Sequence, residues 1–299
     1  MPLVYIILVN WNGWKDSIDC IESLKKIDYK NYKIIIVDNG SLDGSYEILK
    51  EKFPILTIIK SDENLGFAGG NNLGIEYALK EGADFVYLLN NDTIVDKDVV
   101  SELIKAADEY PVAGVFGSKI YYYSEPNRIW CIGGIIDFDL ADAPQIGSMQ
   151  IDNGQYEKIQ EVGYVSGCSM LLRKEVIEEI GLMDDKFFLY WEETDWQFRI
   201  RQKGWQIIYV PKSKLWHKIS ASAGVNSKLS TYYMYRNAYY FFDKNSKGLL
   251  KLKTKIALLK RFINSLVYWL KTKNFENCRV LLLALYDGIF GNYGKKIFK

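Results

Sequence analysis

The sequence has few of the residues that build disulfide frameworks or zinc sites. Its 299 residues include only four cysteines and one histidine. The cysteines are widely spaced, with no CxxC pair and no zinc-ligand spacing, which favours reduced thiols in a cytoplasmic protein. Low-complexity tracts and internal repeats are also absent. The composition is therefore that of an ordinary folded protein.

Long hydrophobic runs are absent as well. No uncharged apolar run reaches the roughly 18 residues needed to span a bilayer. The N-terminal stretch MPLVYIILVNWNGW is apolar, but it has no basic segment before it and no small-residue cleavage site. We therefore expect a buried strand there and not a signal peptide.

The net charge is close to zero, but the basic residues are concentrated at the C-terminal end. Residues 244–299 contain 13 Lys and Arg against Glu276 and Asp287, about +11, so the rest of the chain carries about −10. Such asymmetry indicates an anionic partner, either nucleic acid or the inner face of the cell membrane.

Within this basic segment, residues 256–271 separate apolar from basic side chains at helical spacing. One face carries Ile256, Leu259, Ile263, Leu266, Val267 and Leu270. Tyr268 and Trp269 lie near the end of the stretch, as interfacial aromatic residues do. We therefore predict a basic amphipathic helical extension over residues 246–299 that binds an anionic membrane surface, with no nucleic acid as partner. Packing of the apolar face on the rest of the chain, or a homodimer interface, is the alternative.

The first 120 residues alternate between strand-like and helix-like segments. Short β-branched or aromatic runs lie at residues 4–9, 33–37, 56–59 and 85–89, and helical patterns at 14–27, 44–53, 70–80 and 97–109. This alternation predicts an α/β fold with a doubly wound, mostly parallel central sheet. Further strands are expected at 113–123, 129–138, 162–172 and 206–210, a long loop at 141–161, and helices at 174–180 and 192–202.

Polar clusters follow the first, second and fourth of these strands, where ligands bind in parallel sheets. Asp92 follows a buried strand and could hold a divalent cation that bridges a diphosphate, or simply cap a turn. Asp38 and Asn39 could face the edge of a pyrimidine base, although Asp-Asn-Gly-Ser is also an ordinary turn sequence. The Gly- and Asn-rich residues 64–74 allow close approach of a ligand but do not form GxGxxG, which argues against a dinucleotide site.

The segment FFLYWEETDWQFR at 187–199 is the richest in candidate catalytic groups. Glu192, Glu193 and Asp195 lie among aromatic residues at a predicted helix start, where the helix dipole also favours acidic residues. Burial beside aromatic rings raises the pKa of a carboxyl toward the range of a general base. His217, in a polar loop after a strand, is either a structural residue or a metal ligand.

The order of these motifs resembles glycosyltransferase family 2, and within it the rhamnosyltransferase-like branch. The motifs are VNWNG, VDNGSLDGS, NLGFAGGNN, LLNND, SGCSMLLRKEV, GLMDDKFFLYWEETDW and the loop histidine, and the similarity extends over about residues 3–245, including YYMYRNAYYFF. The resemblance implies an inverting enzyme with a GT-A fold. Its catalytic domain would span residues 1–245, with a nucleotide-binding half at 1–110 and an acceptor-binding half at 111–245.

The resemblance also assigns roles to individual residues. Asn90-Asn91-Asp92 stands where the family has its DxD-type metal motif, so Asp92 and His217 would bind Mg²⁺ or Mn²⁺, although Asn replaces the first acid. Glu193 would be the general base, with Glu192 as the other candidate. The remaining assignments divide between the two substrates: Val9, Asp38, Asn39, Asn64, Gly66, Asn71 and Asn91 for the nucleotide, and Trp191, Asp195 and Gly167 for the acceptor or sugar.

The resemblance predicts a dTDP- or UDP-linked sugar as donor and a glycan or polyprenyl-linked acceptor, used by a peripheral enzyme on the inner face of the cell membrane. Two alternatives stand beside it. A sugar nucleotidyltransferase would have a Gly-rich phosphate loop with Arg or Lys after the first strand, where this chain has VNWNGWKDS. A non-catalytic carbohydrate- or membrane-binding scaffold is compatible with the single acid in the Asn-Asn-Asp triplet.

Overall fold

The computed structural model describes residues 1–219 and 227–298. Its strands are β1 Val4–Asn10, β2 Tyr32–Asn39, β3 Thr57–Ser61, β4 Phe85–Asn90, β5 Thr93–Val95, β6 Ala113–Tyr122, β7 Ile129–Cys131, β8 Gln160–Glu161, β9 Ser169–Arg173 and β10 Gln206–His217. Its helices are α1 Trp14–Leu24, α2 Ser45–Lys52, α3 Gly66–Lys80, α4 Val99–Glu109, α5 Lys174–Ile180, α6 Glu192–Gln202, α7 Lys228–Asn245, α8 Gly248–Lys271 and α9 Phe275–Phe290. The predicted strand–helix alternation of the first 120 residues is confirmed.

All the described strands belong to one mixed sheet, with the order β3-β2-β1-β4-β9-β6-β10-β5. Strands β3, β2, β1 and β4 are parallel, as are β6 and β10. Strand β9 is antiparallel to both β4 and β6, between which it lies. The carboxyl ends of β1, β2 and β4 therefore lie along one edge of the sheet, which brings the polar clusters that follow them together.

Side chains on β1 alternate between two cores, because successive residues of a strand point to opposite faces. Ile6 and Leu8 pack with residues of α1, α2 and α4 on one face. Tyr5 and Ile7 pack with α3 on the other face, in a core that extends to α5 and α6. Helices thus cover the sheet on both faces, as the continuous apolar strands predict.

The segment between β6 and β9 has less regular structure than the sequence suggested. The strands expected at 129–138 and 162–172 shrink to β7 and β9, because glycines at 133, 134, 163 and 167 interrupt those runs. The expected loop at 141–161 contains the short strand β8. Lys119, fully buried on β6, anchors this loop through ion pairs with Asp152 and Glu157.

The C-terminal segment is helical, as predicted, and it packs on the preceding part of the chain. Thr254 Oγ1 on α8 lies 3.3 Å from the carbonyl oxygen of Phe138, and Arg261 Nη1 donates to the carbonyl of Ala141 at 2.7 Å. Helix α9 packs against α7 and α8. Trp269, expected at a membrane interface, is buried beside Phe262, whereas Tyr268 is exposed. No helix among the described residues is long and apolar enough to cross a membrane.

Candidate active site

The turn after β4 and the end of β10 bring Asp92 and His217 together. Strand β5, which follows the turn, pairs antiparallel with β10, so that Thr93 lies opposite His217. The imidazole Nε2 is 3.0 Å from Asp92 Oδ1, although 125 residues separate the two in sequence. Trp130 packs edge-on against the imidazole, with ring centroids 4.7 Å apart. The pair is nearly buried, with side-chain exposures of 8% for His217 and 13% for Asp92.

These two side chains fit the ligand chemistry of a divalent cation. Carboxylate oxygen suits Mg²⁺ and Mn²⁺, and imidazole nitrogen is a ligand of first-row transition metals. Because the Asp92 carboxylate can only accept, Nε2 of a neutral His217 is the N–H donor of this contact, and Nδ1 is buried without a hydrogen-bond partner. A cation held between the two side chains would take the place of the proton on Nε2. Within residues 1–219 and 227–298, no group of three His, Cys, Asp or Glu forms a metal site. Phosphate oxygens of a bound nucleotide and water could supply further ligands to a cation at Asp92 and His217.

A buried polar network joins the ends of β1, β2 and β4. Asn10 Nδ2 donates to Asp38 Oδ2 at 3.0 Å, and Asn10 Oδ1 accepts from the hydroxyl of Ser17 at 2.9 Å. Asn91 Nδ2 donates to the same Ser17 hydroxyl at 2.8 Å. Asp38 is fully buried and also accepts the N–H of Ser41. The network holds the predicted nucleotide-binding strand ends in register; a direct contact between Asp38 and a base stays a prediction.

The Gly- and Asn-rich segment folds onto the end of β2. Asn39 Nδ2 donates to the carbonyl of Gly66 at 2.9 Å and lies 3.3 Å from Asn64 Oδ1. A Cβ at Gly70 would lie 2.8 Å from Val9 Cγ1, so glycine is required for α3 to approach β1. Asn71, predicted to bind the nucleotide, is buried and donates to the carbonyl of Phe67 in its own helix.

The two glutamates begin helix α6 and differ in exposure. Glu192 is buried, with 3% exposure, whereas Glu193 is partly exposed. One oxygen of each, Oε2, has no hydrogen-bond partner. Burial, and then the charge of Glu193, raises the pKa of the Glu192 carboxyl well above its usual range. Burial also raises the pKa of Glu193, although backbone N–H groups of Glu193, Thr194 and Gly167 favour its charged form.

The backbone before the acid pair is held in a left-handed conformation by two residues of α7. Phe188, Tyr190 and Trp191 have φ of 65°, 66° and 76°, a conformation that costs roughly 1–2 kcal/mol for each L-residue. Asn237, fully buried, donates to the carbonyl groups of this segment, and the buried guanidinium of Arg236 donates to the carbonyl of Phe187 at 2.9 Å. These bonds offset the strain and fix where α6 begins.

Residues 167 and 168 connect the acid pair to the Asp92 turn. Gly167 lies against Glu193, whose charged form its backbone N–H favours, and the carbonyl of Cys168 accepts the N–H of Asn90 at 3.0 Å. A Cβ at Gly167 would lie 2.9 Å from the Phe67 ring and 3.5 Å from Glu193 Cβ. The predicted general base and the predicted metal motif are therefore neighbours in space.

Two predicted acceptor-binding residues are engaged in packing instead. Asp195 is fully buried and bonds to Arg199, Lys244 and Asn245 at 3.0–3.2 Å, which ties α6 to α7. Trp191 is 4% exposed, and its Nε1 donates to the carbonyl of Met234. Both side chains thus support the acid pair from behind, and a contact of either with a sugar stays a prediction.

Three residues of the site have no role assigned from the sequence. Ser17 bridges Asn10 and Asn91, Lys218 binds Asp16 and Asp19 of α1, and Arg236 braces the acid-pair segment. A buried arginine inside the aromatic run YYMYRNAYYFF was a visible signal, because an arginine there must find partners for its five donors. Ser17 and Lys218 carry no such signal, since both look like surface residues of their segments.

Solved structures with this architecture are nucleotide-sugar-dependent transferases. The structure superposes on the mannosyltransferase PcManGT from Pyrobaculum calidifontis, solved with GDP-Man and Mn²⁺, with a TM-score of 0.59 and 13% identity over 97% of this chain and 88% of that one. It also superposes on GalNAc-T7, solved with UDP, GalNAc and Mn²⁺, with a TM-score of 0.63 and 14% identity over 91% and 58% of the two chains. The fold is the GT-A fold of glycosyltransferases.

The family model "Glycosyl transferase family 2" matches residues 5–181. The chain therefore belongs to glycosyltransferase family 2 and is an enzyme of the glycosyltransferase class. It is 24% identical to the dTDP-rhamnosyl transferase RfbF of Shigella flexneri over 97% of both chains. It is also 24% identical to the N-acetylglucosaminyl-diphospho-decaprenol L-rhamnosyltransferase of Mycobacterium tuberculosis over 76% of this chain and 80% of that one. The predicted likeness to rhamnosyltransferases is confirmed.

Proposed function

We propose that this enzyme transfers rhamnose, with inversion, from a dTDP-linked donor to a hydroxyl of a polyprenyl-linked glycan. The two relatives support the sugar, because both are rhamnosyltransferases, and one of them acts on a decaprenol-linked acceptor. A UDP-linked sugar is the other donor to test. Membership in the family favours transfer over the sugar-nucleotidyltransferase alternative.

One observation supports the mechanism: Gly167 packs against Glu193, and Cys168, the next residue, accepts the N–H of Asn90 at the Asp92 turn. In the proposed reaction, Glu193 accepts the proton of the acceptor hydroxyl. The hydroxyl oxygen bonds to the anomeric carbon as the bond from that carbon to the diphosphate oxygen breaks. A single displacement from the face opposite the leaving group inverts the configuration. A positioned base of this kind contributes typically about 10²–10⁴-fold to the rate.

Glu193 suits the role of base better than Glu192 in two respects. Glu193 is the more exposed residue of the two, although Oε2 of both carboxyls is buried. The backbone N–H of Gly167 also favours the charged form of Glu193, which is the form that accepts a proton. The nearby carboxyl of Glu192, whose pKa is raised further, is the one that stays protonated when Glu193 is charged.

Asp92 and His217 would hold a Mg²⁺ or Mn²⁺ ion. A bound cation there would supply positive charge to the departing diphosphate. The network of Asn10, Ser17 and Asn91 would keep that site in register with the nucleotide-binding end of β2. We further propose that the enzyme works on the cytoplasmic face of the membrane, because the polyprenyl chain of the proposed acceptor holds that acceptor in the membrane.

A panel of donors with Glu193→Gln and Glu192→Gln tests this function. The parent enzyme should hydrolyse dTDP-rhamnose, or transfer its rhamnose to an acceptor, in a reaction that needs Mg²⁺ or Mn²⁺. Glu193→Gln should bind donor normally but lose transfer by about two to four orders of magnitude. Normal transfer by Glu193→Gln with loss in Glu192→Gln would make Glu192 the base. No turnover of any nucleotide sugar by the parent would favour the non-catalytic scaffold.

His217→Ala and Asp92→Ala test the cation site in the same assay. Each should weaken the metal-dependent part of donor binding, measured by thermal shift with and without Mn²⁺. Lys26→Ala, at an exposed turn residue just after the C-terminal end of α1, serves as the control. If both site variants bind donor and Mn²⁺ as the parent does, the cation lies elsewhere.

A further inference from the structure

Helix α8 has two apolar faces, and only one of them is covered. Leu258, Phe262 and Trp269 are buried against α7, α9 and the segment near Phe138. The second face carries a row of aliphatic side chains that are 42–58% exposed: Leu252, Ile256, Leu259, Ile263, Val267 and Leu270. We call this row the α8 stripe. Its members recur every three or four residues, so they lie along one side of the helix.

The α8 stripe is long and continuous. From Leu252 to Leu270 it extends about 27 Å, at about 1.5 Å per residue. Exposed apolar residues that are scattered singly need no explanation, but a contiguous row of this kind marks an interaction surface. Of the apolar face predicted from the sequence, Leu266 packs against the cluster of Phe262 and Trp269, whereas the other five residues are exposed.

Three lysines border the α8 stripe. Lys253, Lys260 and Lys271 are exposed and, at spacings of 7 and 11 residues, lie on one side of the helix. Within the described part of the chain, none of them has an acidic partner within ion-pair distance, and α8 itself contains no Asp or Glu. By contrast, Lys255 pairs with Asp243 and Arg261 with Asp142. The basic residues next to the stripe are therefore available to an external anion.

We propose that α8 lies in the surface of an anionic lipid bilayer, with the α8 stripe among the acyl chains and the three lysines at the phosphates. This combination of apolar and basic faces is the one that interfacial helices use. A second copy of the chain is the weaker occupant, because a symmetric contact across the stripe would bring the lysines of both copies together without acidic partners. The inference deepens the proposed function, since it names the surface that would meet a membrane-bound acceptor.

The position of α8 determines how this inference can be tested. Because α8 and α9 cover buried aromatic residues of α7 such as Phe242 and Tyr232, removal of the C-terminal segment would expose a core. Surface substitutions in the full chain avoid this problem. Lys253→Gln, Lys260→Gln and Lys271→Gln together form the charge variant, and Ile256→Ser with Ile263→Ser forms the stripe variant. Lys26→Gln, Lys105→Gln and Lys203→Gln, all exposed, form the matched control.

Co-sedimentation with vesicles gives the measurement. The parent should bind vesicles that contain phosphatidylglycerol, ignore pure phosphatidylcholine, and release as salt rises. Since each interfacial lysine contributes about 1 kcal/mol, the charge variant should bind about a hundredfold more weakly, and the stripe variant at least tenfold, while the control binds as the parent does. A parent that ignores anionic vesicles at low salt would overturn the proposal. So would a parent dimer that the stripe variant dissociates, in favour of a second copy.

Donor turnover in detergent-free buffer separates this inference from the proposed function. All three variants should hydrolyse the donor, or transfer its sugar to a soluble acceptor, at the rate of the parent, because the substituted residues are exposed and none belongs to the candidate site. Loss of vesicle binding with normal donor turnover concerns the α8 stripe alone. Normal vesicle binding without turnover of any donor would instead reject the proposed function.

Discussion

Replacing Asn237 with alanine removes an amide that three backbone carbonyl groups share. Its Nδ2 lies 2.8 Å from the carbonyl oxygens of Phe187, Leu189 and Tyr190. An amide nitrogen carries two hydrogens, so about two of these bonds are made at full strength at once. An unsatisfied buried polar group costs about 1–3 kcal/mol. Since two of the carbonyl contacts are only partly buried, we expect Asn237→Ala to lose about 2–4 kcal/mol of unfolding free energy.

This loss is large against a typical net stability of about 5–15 kcal/mol. Urea denaturation of the full chain measures it. Asn264→Ala is the matched control, because Asn264 is also helical but exposed, and its substitution should change stability by less than about 0.5 kcal/mol. Asn237→Asp should also be destabilising at neutral pH, because one carboxylate oxygen would face three carbonyl oxygens while the other keeps the bond from Arg236 Nε.

The same substitution should affect catalysis more than donor binding. The three carbonyl groups belong to the left-handed segment that fixes the start of α6 and with it Glu193. If that segment relaxes, the base is displaced, and the turnover number should fall while donor affinity stays near that of the parent. An Asn237→Ala variant with normal stability and normal transfer would refute the idea that these bonds hold the acid pair in place.

Three further predictions concern the acid pair and the glycine that approaches it. Burial raises the pKa of Glu193, so on acidification the transfer rate should begin to fall at a pH above the ordinary pKa of glutamate. A rate that falls only at the ordinary pKa of glutamate contradicts this. Because the pKa of Glu192 is raised in the folded protein, its contribution to stability is present at acidic pH and is lost as pH rises through the folded-state pKa. Glu192→Gln should therefore raise the melting temperature relative to the parent at alkaline pH but not at acidic pH. Gly66 has φ of +75°, and a Cβ there would lie 2.1 Å from the carbonyl oxygen of Phe188, so Gly66→Ala should lose about 2 kcal/mol or more in denaturant unfolding; an unchanged midpoint would show that the backbone can move away.

Much of the fold of residues 1–110 was predictable from local sequence. Four apolar runs alternate with helical patterns over the first 120 residues, and each lies within one or two residues of an observed strand. Parallel strands buried on both faces need continuous apolar side chains, so the pattern is strong there. The fold of residues 111–245 was less predictable. In the runs at 129–138 and 162–172, glycines interrupt the hydrogen bonding between strands, and the hydrophobic pattern alone does not predict that interruption.

The residues of the candidate site also differ in how far local sequence could predict them. Asp38, Asp92 and Glu193 could be singled out because acidic groups follow strands or begin a helix in their own segments. The roles of Trp191 and Asp195 could not, because an aromatic or acidic side chain near a site is equally suited to bind a ligand or to pack behind it. Only the position of α7 decides, since Lys244 and Asn245 reach Asp195 and the carbonyl of Met234 reaches Trp191.

The sequence by itself determined the alternation of the sheet, the polar ends of its strands and the amphipathic pattern of α8, since each depends on spacings within a few residues. The tertiary structure alone decided that Asp92 meets His217 across 125 residues, because β5 must first pair with β10. It also decided which apolar face of α8 is buried. Both faces carry enough aliphatic side chains to be covered, and the choice depends on the shape of α7 and α9, which no local pattern encodes.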